Sequence, residues 1–280
     1  MRNRAWAVML LLLFSSGLAL ARGDTDHAEA SMQLTGTVDI DASGAVTGYS
    51  IDHRRGIDTA VIHLINRAVP NWRFEPLPSG AAAPATPVQL LIVAKQISAN
   101  QYAMRIQSAH FGNSVANPSA QLMPVSLKPP PYPPQALREL IEGKVYVVLR
   151  IDRTGHVSDA MAEQVNVGRM GSAPAMERAR KLLADATLLA AKTWTFRPPT
   201  TGASAGDPYW LGAIPVAFEL TDGTRANYAQ WHDYIPGPKL PIPWRSVRGK
   251  DEQSDSEALA AGAFSTIGSG RHLLTSLEGE

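Results

Sequence analysis

The 280 residues include no cysteine, which excludes disulfides, thiolate metal sites and a cysteine nucleophile. A chain without disulfides is held by hydrophobic burial, and that favours units of about 90 residues over a tiny scaffold. Charge is also scarce. With 26 Lys and Arg against 25 Asp and Glu, the formal charge is +1 and charged residues make up 18%. That balance gives no footprint for nucleic acid or for a strongly acidic partner. Past Leu20 no apolar run is long enough to span a bilayer. Glycine (22) and proline (21) are plentiful, and they gather in joints and in the C-terminal tail.

Arg2 and Arg4 precede an apolar run from Ala5 to Leu20, and Ala19 and Ala21 put small residues where a signal peptidase cuts. Residues 1–21 read as a secretory signal peptide cleaved before Arg22, leaving a soluble protein on the trans side. The alternative is a retained anchor, because the run of about 16 residues is only a little short of a bilayer span.

From Met32 the period becomes that of a strand. Met32, Leu34, Gly36, Val38 and Ile40 alternate with Gln33, Thr35, Thr37 and Asp39. Asp41-Ala42-Ser43-Gly44 supplies a turn, and Val46 to Ile51 the returning strand. A helix is expected from the N-cap Asp58 through Ala60, Val61, Leu64, Ile65 and Ala68, ended by Pro70. Trp72-Arg73-Phe74-Glu75-Pro76 follows, then strands at Val88 to Val93 and Tyr102 to Ile106. Residues 31–108 are thus expected to form a small α+β unit with one helix on an antiparallel sheet.

Residues 109–128 lack periodicity and read as a linker, and the prolines from Pro129 to Pro134 stiffen the junction. The second unit, 129–222, opens with a short helix from Pro134 for which Gly143 is the expected C-terminal cap. Val145, Val147, Leu149 and Ile151 then alternate with Lys144, Tyr146, Val148 and Arg150, which predicts one packed face and one mostly wet face. After a turn at Asp152 to Gly155, Val157 to Val167 returns, and Met176, Ala179, Leu182, Leu183, Ala186, Leu189 and Ala190 repeat at helical spacing. Trp194-Thr195-Phe196-Arg197-Pro198 leads to a last strand with Ile214, Val216, Phe218 and Leu220 on one face. Pro215 confines that strand to an edge, or to a register in which its nitrogen points outward. In the tail, 223–280, Tyr228, Trp231, Tyr234 and Trp244 are expected to pack on the chain's own sheet. Beyond Arg248 the composition predicts disorder, apart from a short helix near Glu257 to Phe264.

The chain repeats itself. Ile40-Asp41-x-x-Gly44-x-Val46 aligns with Ile151-Asp152-x-x-Gly155-x-Val157 at an offset of 111 (155 minus 44), and Trp72-x-Phe74-x-Pro76 aligns with Trp194-x-Phe196-x-Pro198 at 122 (194 minus 72). Each pair flanks a helix in the same order, as duplication would produce.

The second copy resembles the C-terminal domain of TonB-type energy transducers over Tyr132-Pro133, Ala136, Gly143, the alternation from Val145 to Ile151, Gly155-x-Val157 and Trp194-x-Phe196-x-Pro198. The first copy matches from its first strand onward, without the Tyr-Pro opening. The resemblance implies two small α+β units in the periplasm and a protein or peptide partner, an outer-membrane receptor among the candidates. Recognition would be by strand addition at the edge Ile214, Val216, Phe218 and Leu220, with Tyr132 nearby. Transducing members carry Ser and His in an uncleaved anchor and a long Pro-rich spacer. Here no His precedes His27, and a folded unit fills the place of the spacer. The leading expectation is therefore a periplasmic, non-enzymatic binding protein that meets the membrane only if its N-terminal segment is retained. A membrane-anchored energy transducer for outer-membrane transport is the alternative.

An envelope enzyme is a reading of a different class. The seven histidines (27, 53, 63, 110, 156, 232 and 272) form no i, i+4 pair. There is no G-x-S-x-G, no P-loop and no dinucleotide fingerprint either. The sequence accordingly assigns no catalytic residue, no metal and no cofactor.

Overall fold

In the computed structural model, residues 28–76, 85–98, 101–112, 117–169, 171–220, 228–244 and 255–279 are described. The expected signal peptide, residues 1–21, lies outside them. The fold is α+β with antiparallel sheets and few helices. β1 (Glu29–Ile40) is central in the first sheet, paired with β2 (Val46–Ile51) on one side and β3 (Thr86–Ser98) on the other, while β4 (Gln101–Phe111) pairs with the far side of β3. α1 (Thr59–Ala68) lies on one face. The Asp58 carboxylate accepts from the Ala60 N–H at 2.8 Å, so this helix starts where a side-chain acceptor replaces the missing backbone partner. Its stripe of Val61, Leu64, Ile65 and Ala68 buries against Leu34, Val38, Leu90 and Ile92.

The residues expected to be linker do more than connect. β4 runs on to Phe111, and β5 (Met123–Ser126) pairs with β8 (Thr195–Arg197). A short helix, α2 (Pro134–Arg138), is followed by Leu140 at φ 51, so Leu140 rather than Gly143 takes the left-handed turn. Gly143 instead begins β6 (Gly143–Asp152), where a Cβ would lie 2.4 Å from the Asn166 carbonyl oxygen. β6 is central in the second sheet, between β7 (Val157–Val167) and β9 (Tyr209–Phe218), and α3 (Ala173–Ala191) packs Leu183 and Ala191 onto Val145, Val147, Leu149 and Ile151. The opposite face of β6 is not wet as expected. Tyr146 is 3% exposed and Val148 is fully buried.

The two hairpin turns are built alike. Asp41 Oδ1 accepts from the N–H groups of Ser43 and Ala45 and from the Ser43 hydroxyl, and Asp152 Oδ1 accepts from Thr154, His156 and the Thr154 hydroxyl. Gly44 (φ 88) and Gly155 (φ 84) close these turns. Their carbonyls accept from Phe74 N–H and Phe196 N–H, each at 2.8 Å. A Cβ at Gly44 would stand 2.0 Å from the Phe74 oxygen, and one at Gly155 would stand 2.0 Å from the Phe196 oxygen. Each aspartate therefore shapes a turn whose glycine lets the strand carrying the aromatic pair pass close by. Both carboxyls are held below their ordinary pKa of 3.8, chiefly by the hydroxyl two residues on.

The tail is the largest departure from expectation. β10 (His232–Tyr234) pairs with β1, and Ile235 then bridges Val167 of β7, so this segment joins the two sheets. Residues Asp255–Ala258 form a 3-10 turn rather than disorder, the short helix expected near Glu257 to Phe264 does not continue past Ala258, and Leu259 and Ala258 are buried between the sheets, Ala258 beside Leu91 and Val93 of β3. β11 (Ser265–Thr266) completes the sheet order β11-β9-β6-β7. Beyond it, Leu273 stands opposite Phe74, and the Trp72 indole donates to the Leu277 carbonyl at 3.1 Å. β5 relates to β8 in the same register: Pro124 stands opposite Phe196, and the Trp194 indole donates to the Lys128 carbonyl at 2.8 Å. Composition predicts disorder for such a segment when its few apolar side chains have nothing to cover. Here two sheet edges supply the missing partners.

Candidate partner-binding edge

Ile214, Val216 and Phe218 are buried in the core that α3 also enters through Leu183 and Ala191. In β9 the outward residues are the odd ones: the Leu211 carbonyl accepts from Ile267 N–H at 2.9 Å, and the Pro215 carbonyl accepts from Gly262 N–H at 2.7 Å. Pro215 thus points its nitrogen away from β6, where no ladder donor is needed. A partner reaching this edge would meet the backbone of Leu211, Ala213, Pro215 and Ala217, one residue out of step with the four expected from the sequence. Leu220 lies past the end of the strand, and its N–H donates to Glu142 Oε1.

Tyr132 belongs to the packing of this region. Its ring meets Phe218 edge-on at 5.5 Å, and its hydroxyl donates to the Ile141 carbonyl at 2.5 Å. Burial, with the Glu142 charge nearby, pushes the phenol up to about 12. Tyr132 therefore ties the opening segment to the end of β9.

β9's outer edge carries a strand from the chain itself. Ser265 pairs with Ala213 and Thr266 with Gly212, antiparallel. Beside them the Phe264 ring lies over Gly212 and 5.0 Å from the Phe196 ring. A Cβ at Gly212 would be 2.4 Å from Phe264 Cε2, so the missing side chain makes the seat for the aromatic ring. Ala217, the next outward residue, has no backbone partner on that side among the described residues. The equivalent edge of β3 is closed along its length by β4, from Val88 opposite Phe111 to Ser98 opposite Gln101.

A polar seam lies between the sheets. The Glu29 carboxylate accepts from the Tyr234 hydroxyl at 2.7 Å and from Arg105 at 3.0 Å, and Glu257 lies 3.5 Å from Gln107 Nε2 and 3.9 Å from Lys239 Nζ. Burial raises the Glu257 carboxyl above the ordinary carboxylate range; Lys239 and Gln107 oppose the shift, and the charges of Glu163 and Glu29 add to it. Burial likewise raises Tyr146 and Tyr234. No sequence period marks this seam, because its members come from β1, β4, β6, β10 and the tail. Among the described residues no group of three or more His, Asp or Glu side chains is placed to hold a metal ion. No described helix is long and apolar enough to cross a membrane.

Comparison with known protein families, with characterised proteins and with solved structures finds no match to this chain.

Proposed function

We propose that the chain is an exported, non-enzymatic binding protein made of two TonB C-terminal-like units, which recognises an extended protein segment by strand addition at the outer edge of β9. The observation that carries this reading is β11, an extended segment already bonded antiparallel to that edge through backbone groups. An edge that accepts one strand through its backbone can accept another, with a side-chain seat adding selectivity. Duplication is supported by the matched turns at Asp41 and Asp152, by the matched approach of Phe74 and Phe196, and by a central strand with its hairpin mate on one side and a later strand on the other in both sheets. The partner is a protein of the periplasm or outer membrane.

The test is site-specific photocrosslinking in the native envelope. A photoreactive residue replacing Ala217 is expected to give one dominant adduct, mapping to an extended segment of another envelope protein. The same residue at the exposed Arg178 of α3 is expected to give none. An Ala217 probe that captures only the chain's own tail would refute strand addition at this edge.

A further inference from the structure

We infer that β11 is a resident placeholder: residues 262–267 form a strap that lifts from β9 and yields its edge to an incoming strand, while the tail stays docked on both sides. The inference rests on the strand-addition reading and adds what controls access to the edge and what the edge selects. Three observations carry it. First, the strap's hold is short, with two paired positions on β9, one backbone bond at each end and the Phe264 ring, where β4 closes the equivalent edge of β3 from Val88 to Ser98. Second, firm anchors bracket it. Upstream, Ser256, Ala258 and Leu259 are buried between the sheets, and downstream Leu273 and Leu277 pack on the first core, with the Trp72 indole bonded to Leu277. Third, the downstream anchor is joined to the strap through Gly268 (φ 77) and Gly270 (φ 113), and these glycines border a cavity of about 340 Å³ also lined by Gln121, Asp207 and Trp210. The joint is therefore free to swing without disturbing a packed core.

Because both anchors persist, the strap stays at high effective concentration and weak partners cannot displace it. The occupant that succeeds is an extended segment antiparallel to β9, with an aromatic side chain over Gly212 and small residues on either side, as Ala263, Phe264 and Ser265 now supply. No charge is needed at the seat.

Two measurements on the full-length protein test this. In native-state hydrogen exchange the Ile267 amide, which bonds the Leu211 carbonyl, is expected to exchange at least 100-fold faster than the Val147 and Leu149 amides of β6, with the Leu274 amide slower than Ile267. In fluorescence anisotropy with a labelled synthetic peptide of residues 260–270, Phe264→Ala is expected to bind at least 10-fold more tightly than the unsubstituted protein. An Ala213→Cys, Ser265→Cys pair, oxidised in this cysteine-free background, is expected to abolish binding that returns on reduction. Ile267 exchanging together with β6 would overturn the strap while leaving strand addition standing. Fast exchange at Ile267 with no peptide bound by Phe264→Ala would overturn strand addition at β9, and the strap's role with it.

Discussion

Replacing Gly155 by alanine tests the turn logic most directly. The added Cβ would stand 2.0 Å from the Phe196 carbonyl oxygen, and the residue would be held at φ 84. The left-handed backbone costs an L side chain about 1–2 kcal/mol. Relieving the clash moves the Phe196 strand by about 1 Å, which breaks the 2.8 Å bond from Phe196 N–H to the Gly155 carbonyl, a loss of about 1 kcal/mol. The same shift disturbs Phe196 and Trp194, both nearly fully buried, for about 1–2 kcal/mol more. The total is about 4 kcal/mol, a large share of the roughly 5–15 kcal/mol that holds a domain together. Urea unfolding followed by tryptophan fluorescence and circular dichroism measures it. Gly44→Ala, with the same 2.0 Å approach to the Phe74 oxygen, is expected to match it within about 1 kcal/mol. Gly206→Ala, with nothing within 4 Å of the new Cβ, is the neutral control. A Gly155→Ala protein within about 1 kcal/mol of the unsubstituted one would refute the close-approach argument. A large cost at Gly155 with none at Gly44 would refute the equivalence of the two turns.

Tyr132→Phe removes the bond to the Ile141 carbonyl but keeps the ring against Phe218. It is expected to cost about 1 kcal/mol in urea unfolding and to leave peptide binding to β9 unchanged; a change in binding would restore Tyr132 to the recognition surface. Leu183→Ala, at a fully buried position facing β6, should cost about 2–5 kcal/mol by the same assay, and a smaller loss would mean that α3 is not packed as described. Because burial raises the folded-state pKa of Glu257, its neutral form is the one that suits the seam. Stability from this group is complete below the ordinary carboxylate pKa and is lost as pH rises through the raised value. Glu257→Gln should flatten that decline in melting temperature measured upward from pH 4.5, and an unchanged profile would count against the buried charge.

What could be read in the sequence was local. Asp58 before an apolar stripe placed α1 to within a residue, and Asp-x-x-Gly placed both turns, because in each case the deciding acceptor lies a few residues from the donors it satisfies. Gly143 was misread because a helix stop and a crowded strand both ask for glycine, and only the position of Asn166 separates them. The second face of β6 looked wet because the groups beside Tyr146, Tyr234 and Glu257 among them, come from far away in sequence. Strand parity carried the same limit: alternation finds the buried face of β9, yet the residues that offer backbone to a partner are the others.

The tail's Leu273 to Leu277 stretch bears on the first sheet as Pro124 to Lys128 bears on the second, with the same four-residue step from the strand pairing to the indole acceptor. Among the described residues, the Leu273 to Leu277 stretch holds for the first sheet the place that the opening segment from Pro124 to Lys128 holds for the second. Ending the chain after Gly270 would orphan the indole donor of Trp72, which is fully buried, at about 1–3 kcal/mol. It would also remove the backbone bonds from Glu75 to His272 and from Leu274 to Arg73, and uncover apolar surface beneath Leu273 and Leu277 worth about 2–3 kcal/mol more. The first sheet should then unfold at lower urea than the second, splitting one transition into two, and a synthetic peptide of residues 271–280 added in trans should bring them back together. A single transition at an unchanged midpoint would mean that the first sheet does not depend on the tail, and that the matched register is a coincidence of packing.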